Sequence, residues 1–209
     1  IVCQDDMTAR RIQEELKCFL GLTAPILPGR DLTFYDAAVA SKTWEQKRLR
    51  QLRDWSSGAV PIQILTWESL SLRTMPWDVL QKASFTLEVG QEYSLDDLAS
   101  RLTAAGYSRC GMVEGPGQFA FRGGIADIFS PGEDRPVRLE FFGDELDTMG
   151  YFDPDTQRRS DNVDKIQILP VSEALPGMHP KGIAGMEKDL QTLISRQRRR
   201  KHPNELLIE

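Results

Sequence analysis

The stretch Pro136-Val137-Arg138-Leu139-Glu140-Phe141-Phe142-Gly143-Asp144-Glu145-Leu146-Asp147 decides the fold. Apolar and polar residues alternate on either side of Gly143-Asp144, the pattern of two antiparallel strands with one buried face. Gly at the first central position is what a type II′ hairpin turn requires. Closing the hairpin there predicts Phe142 opposite Glu145, Phe141 opposite Leu146, Glu140 opposite Asp147 and Leu139 opposite Thr148. Val137, Leu139, Phe141 and Leu146 then share the core face. Arg138, Glu140, Phe142, Glu145, Asp147 and Met149 share the outer one.

That outer face is unusual in two ways. Glu140 and Asp147 would sit directly opposite each other, and facing like charges destabilise a ladder. Phe142 is a large aromatic among charges, and aromatics with arginine are enriched where partners dock. Two readings stay open at this level. Either a neighbouring arginine, Arg122 or Arg158, neutralises the acidic pair while Phe142 covers a loop, or the face receives a partner.

Working outward, strands are expected at about 118–122, 125–129, 136–142 and 145–152, with no helix between these four, and a fifth over 165–169. Gly123-Gly124 marks a bulge or tight bend. Upstream, Leu95, Leu98 and Leu102 line a helix that Ser94 would cap and Ala104-Ala105-Gly106 would close. This middle portion therefore reads as an antiparallel sheet with one helix on a face, an α+β arrangement.

The first third has a different rhythm. Ile1-Val2-Cys3 reads as a strand, Asp5 or Asp6 as a helix cap, and Ile12, Leu16, Phe19 and Leu20 as one apolar helix face that Gly21 ends. Leu32-Thr33-Phe34-Tyr35 reads as a short strand. A helix over about 43–57 would turn Trp44, Leu49, Leu52 and Trp55 inward, with Lys47, Arg48, Arg50 and Arg53 outward or flanking. Val60 to Leu65 reads as the next strand. Strand, helix, strand at this spacing predicts a parallel α/β sheet. The expected fold class is thus α/β, a partial parallel sheet with flanking helices, plus an α+β domain with an antiparallel sheet. The expected domains are 1–87, 88–172, and a linker and helix over 173–209.

Composition narrows the function classes. The 209 residues carry 26 Lys and Arg against 31 Asp and Glu, a net charge of −5. Bulk electrostatics therefore does not favour polyanions. The local exception is Arg196, Arg198, Arg199, Arg200 and Lys201, a candidate nucleic-acid contact that also suits a helix C-terminus. No apolar run approaches the roughly 20 residues of a membrane span. Cys3, Cys18 and Cys110 are too scattered, and His179 and His202 too few, for a zinc site, which points to a reduced, cytoplasmic setting. There is no G-x-x-x-x-G-K-[ST], no G-x-S-x-G and no H-E-x-x-H. The acidic residues near the hairpin turns read as solvated, so no catalytic residue, metal or cofactor is expected. The start at Ile1, without Met and on a strand, reads as a segment of a longer protein.

Three ordered motifs, Phe121 to Phe129, Pro136 to Asp147 and Phe152 to Arg158, resemble the UvrB-homology module of the bacterial transcription-repair coupling factors. Ala105-Gly106-Tyr107, Glu114 to Phe119 and Ile168-Leu169-Pro170 fit the same pattern. The resemblance is strongest over about 88–173 and weaker, in the same order, over 1–87. The related excision-repair protein UvrB is the alternative. The tyrosine-rich, DNA-gripping hairpin of UvrB has no counterpart between residues 61 and 94. The resemblance implies a non-catalytic module that recruits UvrA to lesion-stalled RNA polymerase. ATP, magnesium and DNA translocation would belong to motor domains elsewhere in the parent protein. It places the UvrA contacts on Arg122, Arg138 and Phe142, with Glu140 as a weaker inclusion.

Overall fold

A computed structural model describes residues 1–29, 43–175, 177, 179 and 181–199. The chain forms two compact units, Ile1–Glu173 and Ala174–Glu209. The first unit opens with β1 (Val2–Cys3), α1 (Asp6–Leu20) and β2 (Ile26–Leu27), followed by α2 (Thr43–Ser56) and β3 (Ile64–Thr66). The three strands form a parallel sheet in the order β1-β3-β2. Asp5 caps α1 by accepting a hydrogen bond from Thr8 N at 2.7 Å. Gly21 ends the helix in the left-handed region at φ 64°, where a side chain would be strained. Ile12 and Leu16 pack toward Cys3, Ala9, Ala24 and Ile64. Phe19 and Leu20, expected on that face, are exposed. The strands beneath are only two or three residues long, so the last turn of α1 has no sheet to cover. The strand expected over Leu32 to Tyr35 lies outside the described residues.

The largest departure from the expected pattern is Arg48. Periodicity puts it on or beside the solvent face of α2, yet it is 1% exposed. Its Nη1 donates to Pro28 O at 2.9 Å, its Nη2 donates to Thr74 Oγ1, and its Nε pairs with Glu173 Oε1 at 2.8 Å. Glu173 Oε2 accepts from Met75 N at 3.0 Å, while Glu45 Oε1 accepts from Ser172 Oγ and Glu173 N. Arg50 reaches Asp134, and Gln46 donates to Pro116 O. Helix α2 is thus a polar strut that ties the parallel sheet to the portion beyond residue 88. Leu49 is fully buried as expected, whereas Trp55 is largely exposed.

Two short helices unforeseen in sequence, α3 (Trp67–Ser71) and α4 (Trp77–Ala83), lead to β4 (Phe85–Glu88). Thr66 and Ser69 make a reciprocal capping box at α3. Helix α5 (Leu95–Ala104) starts after Ser94, whose hydroxyl makes no capping bond, contrary to expectation. The main sheet follows: β5 (Ser108–Arg109), β6 (Gln118–Arg122), β7 (Ile125–Ile128), β8 (Val137–Phe142), β9 (Glu145–Phe152) and β10 (Arg159–Asn162), side by side in that sequence. The final strand, β11 (Lys165–Ile168), pairs antiparallel with β4 in a separate ribbon. One core unites Leu98 and Leu102 of α5 with Phe119, Ala126, Ile128, Val137, Leu139, Leu146 and Met149 of the sheet.

The β8–β9 register corrects the expected pairing. Phe142 faces Glu145 and Phe141 faces Leu146, but Glu140 then faces Thr148 and Leu139 faces Met149. A bulge makes Asp147 the extra residue, so the like-charge pair with Glu140 never forms. It also reverses the phase of β9 beyond that point. Met149, expected outward, is 1% exposed in the core. Apolar Leu146 and Met149, three apart, carried this signal, since strict alternation cannot put both inward. In the second unit, α6 (Gly182–Arg198) carries exposed Ile183, Leu190 and Leu193, and His179 and Lys181 flank Asp189 at 3.4 and 3.6 Å.

Two predictions test this frame. Removing one partner of a buried ion pair typically costs about 3–5 kcal/mol. Glu173→Gln is therefore expected to lower the unfolding free energy by about that amount in urea denaturation, while Glu114→Gln, on the surface, should not. The second concerns tyrosines. Tyr107, from the Ala105-Gly106-Tyr107 motif, is buried and donates to Leu169 O at 2.7 Å, and burial pushes its hydroxyl well above the usual range. Burial and the bond to Glu133 push Tyr151 up to about 12. Their folded-state values lie above the unfolded one. The stability they add is therefore present below about pH 10 and lost as pH rises through the folded values. Absorbance titration should show both still protonated near pH 11, and Tyr151→Phe should flatten the loss of stability between about pH 10 and 12.

Candidate docking surface

Two hairpin turns place the predicted residues at one end of the main sheet. Gly123 and Gly143 adopt φ 60° and 64°, and neither Gly124 nor Asp144 has positive φ, as type II′ turns require. Of the bulge or tight bend expected at Gly123-Gly124, the structure shows the tight bend, a hairpin turn pairing Arg122 with Ile125. The turns lie side by side, with Phe141 N donating to Gly124 O at 2.8 Å. A Cβ on Gly124 would stand 3.0 Å from Phe141 O, so any side chain there would press on the neighbouring backbone.

Cross-strand rows then define the outer face. One row runs Arg122, Ile125, Glu140, Thr148, and the next runs Ala120, Asp127, Arg138, Gly150. Asp127 is 1% exposed. A buried carboxylate is costly unless paired and hydrogen-bonded. Asp127 Oδ1 accepts from Arg138 Nε at 2.7 Å, and Oδ2 accepts from Arg138 Nη2 at 2.9 Å and Arg122 Nη2 at 2.5 Å. The Arg138 fork is bidentate, the strong geometry for this pair, and the bonds to Asp127 raise the guanidinium pKa further. Arg138 also donates to Gln157 O and Oε1 and stacks over the Phe152 ring at 4.5 Å. Gln157, at φ 59°, holds a conformation rare for a non-glycine residue. Its clamp onto Arg138 seats the 153–158 turn against the sheet.

A second ion pair crosses the same face. Arg159 Nη1 donates to Glu140 Oε1 at 2.6 Å and to Thr148 Oγ1 at 3.1 Å. Arg159 neutralises Glu140, a role the sequence suggested for Arg122 or Arg158. Its side chain reaches Glu140 by crossing Gly150, where a Cβ would lie 2.6 Å from Arg159 Nε and 3.0 Å from Asp161 O. Gly150 is a groove for the arginine.

The four predicted contact residues therefore share a face but differ in access. The Phe142 side chain stands in solvent at 83% exposure. The Arg122 side chain is 47% exposed and that of Glu140 43%. The Arg138 side chain is only 16% exposed, its guanidinium committed to Asp127 and Gln157. Asp127, Gln157 and Arg159 were not identified as site residues by sequence reasoning. Asp127 is an acidic residue on the outer face of β7, a place that reads as solvated, and Gln157 and Arg159 act only across strands. Arg196, Arg198 and Arg199 are exposed at the end of α6, and Arg200 and Lys201 lie outside the described residues. Among the described residues, no cluster of His, Cys, Asp or Glu fits a metal ion, and no helix is long and apolar enough to cross a membrane.

Residues 85–173, which span this sheet, match the family model of the UvrB interaction domain. These residues are similar in sequence to that domain. Over 182 residues, 83% of the chain, the sequence is 34% identical to the transcription-repair-coupling factor of Myxococcus xanthus. It is 33% identical to that of Bacillus subtilis over 86% of the chain and 30% identical to that of Escherichia coli over 83%. The chain spans about 15% of the length of each of these relatives. The similarity extends well beyond the interaction domain, into the parallel sheet and the α2 strut.

The crossing at Gly150 generates a prediction. Gly150→Ala forces Arg159 or the β10 backbone to move, and overpacking of this kind costs about 1–3 kcal/mol. A lowered urea midpoint is expected, and a matching loss from Arg159→Ala should not add to it in the double variant.

Proposed function

We propose that this chain is the non-catalytic docking module of a transcription-repair coupling protein, and that the hairpin-tip face of its interaction domain takes UvrA. The single observation that carries this reading is Phe142, a large aromatic held almost wholly in solvent by a rigid hairpin. Burying such a ring against a partner is a strong source of binding free energy. Arg122, on the same face, offers a half-exposed charge for an acidic group. A face with an apolar centre and charged flanks suits a protein partner.

The similarity to coupling factors supports the same role. The other activities expected of the parent protein, contact with RNA polymerase and DNA and use of ATP with magnesium, are assigned to regions outside this chain. A UvrB fragment is the alternative identity, and the relatives reported above favour the coupling factor.

Truncating a central interface anchor typically costs 2 kcal/mol or more. Phe142→Ala is expected to weaken UvrA binding about 30-fold or more in calorimetric titration, with the melting temperature little changed because the residue is mostly in solvent. Wild-type affinity in that variant would remove Phe142 from the interface. Arg138→Ala is expected to lower affinity and stability together, since it leaves Asp127 buried beside a single arginine.

A further inference from the structure

Resting on that docking reading, we infer that Asp127 is the positioning residue of the surface: it fixes the Arg122 guanidinium so that the rest of its fork is presented, on the same face as Phe142, to a carboxylate of the partner. Asp127 itself, at 1% exposure, touches no partner.

The geometry assigns this role through division of labour between two arginines. Arg138 lies directly opposite Asp127 on the neighbouring strand and meets it with two donors. That pair alone would neutralise the buried carboxylate. Arg122 is diagonal to Asp127 across the β6–β7 hairpin, the position from which long side chains still reach. It spends one donor, Nη2, on Oδ2. Asp127 is its hydrogen-bond partner among the described residues, so Nε, Nη1 and the second N–H of Nη2 keep their donors, and that Nη2 N–H completes a two-donor edge with Nε or Nη1. A guanidinium held at one corner in this way is a preorganised fork. Its free edge meets a carboxylate in two parallel bonds, without first ordering a mobile side chain.

A lysine would not do the same. Its ammonium is a point charge on a flexible stem, so it offers no fixed second edge. The Arg122 and Phe142 sites also stay independent of one another in this arrangement. Phe142 is held by its hairpin turn, and Asp127 has no bond to it.

The test is a double-mutant cycle read by UvrA affinity, with melting curves on every variant. Asp127→Asn keeps the side-chain shape but weakens the hold on Arg122. It is expected to reduce affinity about tenfold in the wild-type background and less than threefold in an Arg122→Ala background. In a Phe142→Ala background the tenfold loss should persist. A general loosening of the sheet would instead cost the same factor in all three. A loss below threefold in the wild type, or of threefold or more with Arg122 already removed, overturns the inference.

If Asp127→Asn fails to fold, Arg122→Lys decides, because Arg122 is half-exposed and its charge is retained. A loss of tenfold or more supports the fixed fork, and a smaller one overturns it. Failure of the wild-type chain to bind UvrA at all overturns the docking reading itself, and this inference with it.

Discussion

A carboxylate almost sealed from water dictates the outer face of the main sheet. Asp127 lies on β7, in the middle of the sheet, where an unpaired charge would cost several kcal/mol. Arg138 answers it from β8 and Arg122 from β6, so three neighbouring strands are tied by charge across the ladder that their backbones already make. The consequences spread from there. Arg138, drawn down onto Asp127, covers the Phe152 ring and reaches Gln157, which seats the following turn. The lower half of the same face is closed by Val113, Ala120, Phe129 and Phe152. Only the hairpin end remains open, and it is there that Phe142 and the free edge of Arg122 stand.

The same logic operates at the other end of the first unit. Arg48 and Glu173 are buried against each other between α2 and the chain segment that leaves β11. A buried pair of this kind contributes little net free energy compared with apolar packing, but it punishes any arrangement that separates its members. It therefore fixes where α2 lies more than how tightly. Around it, Glu45 holds the backbone at Ser172 and Glu173, and Arg50 holds the Asp134 loop. The parallel sheet and the main-sheet region are joined through directed polar contacts, which favour one relative placement of the two.

Much of the fold was legible because period-2 alternation and glycine turns are local. The β8–β9 hairpin and its type II′ turn, the Asp5 and Gly21 ends of α1, and the α5 apolar face all follow from residues within a few positions of one another. The misses share a cause. A bulge at Asp147 shifts the register by one, and only the apolar pair Leu146 and Met149 hints at it. Arg48 looks like a surface cation because nothing nearby reveals that Glu173, far along the chain, comes to meet it. Of the candidate site, Phe142 was legible as an apolar residue on a polar face. Arg138 was placed on the right face but at the wrong depth.

The sequence by itself determined that Arg138, Glu140 and Phe142 share the outer face, since strand alternation leaves them little choice. It also determined the Gly143-Asp144 turn that ends their strand. Tertiary structure alone decided which of those side chains reach solvent. Depth on a sheet depends on what crosses it, and here the crossing groups, Arg159 over Gly150 and the 153–158 turn under Arg138, come from segments that no local pattern connects to the strands they cover.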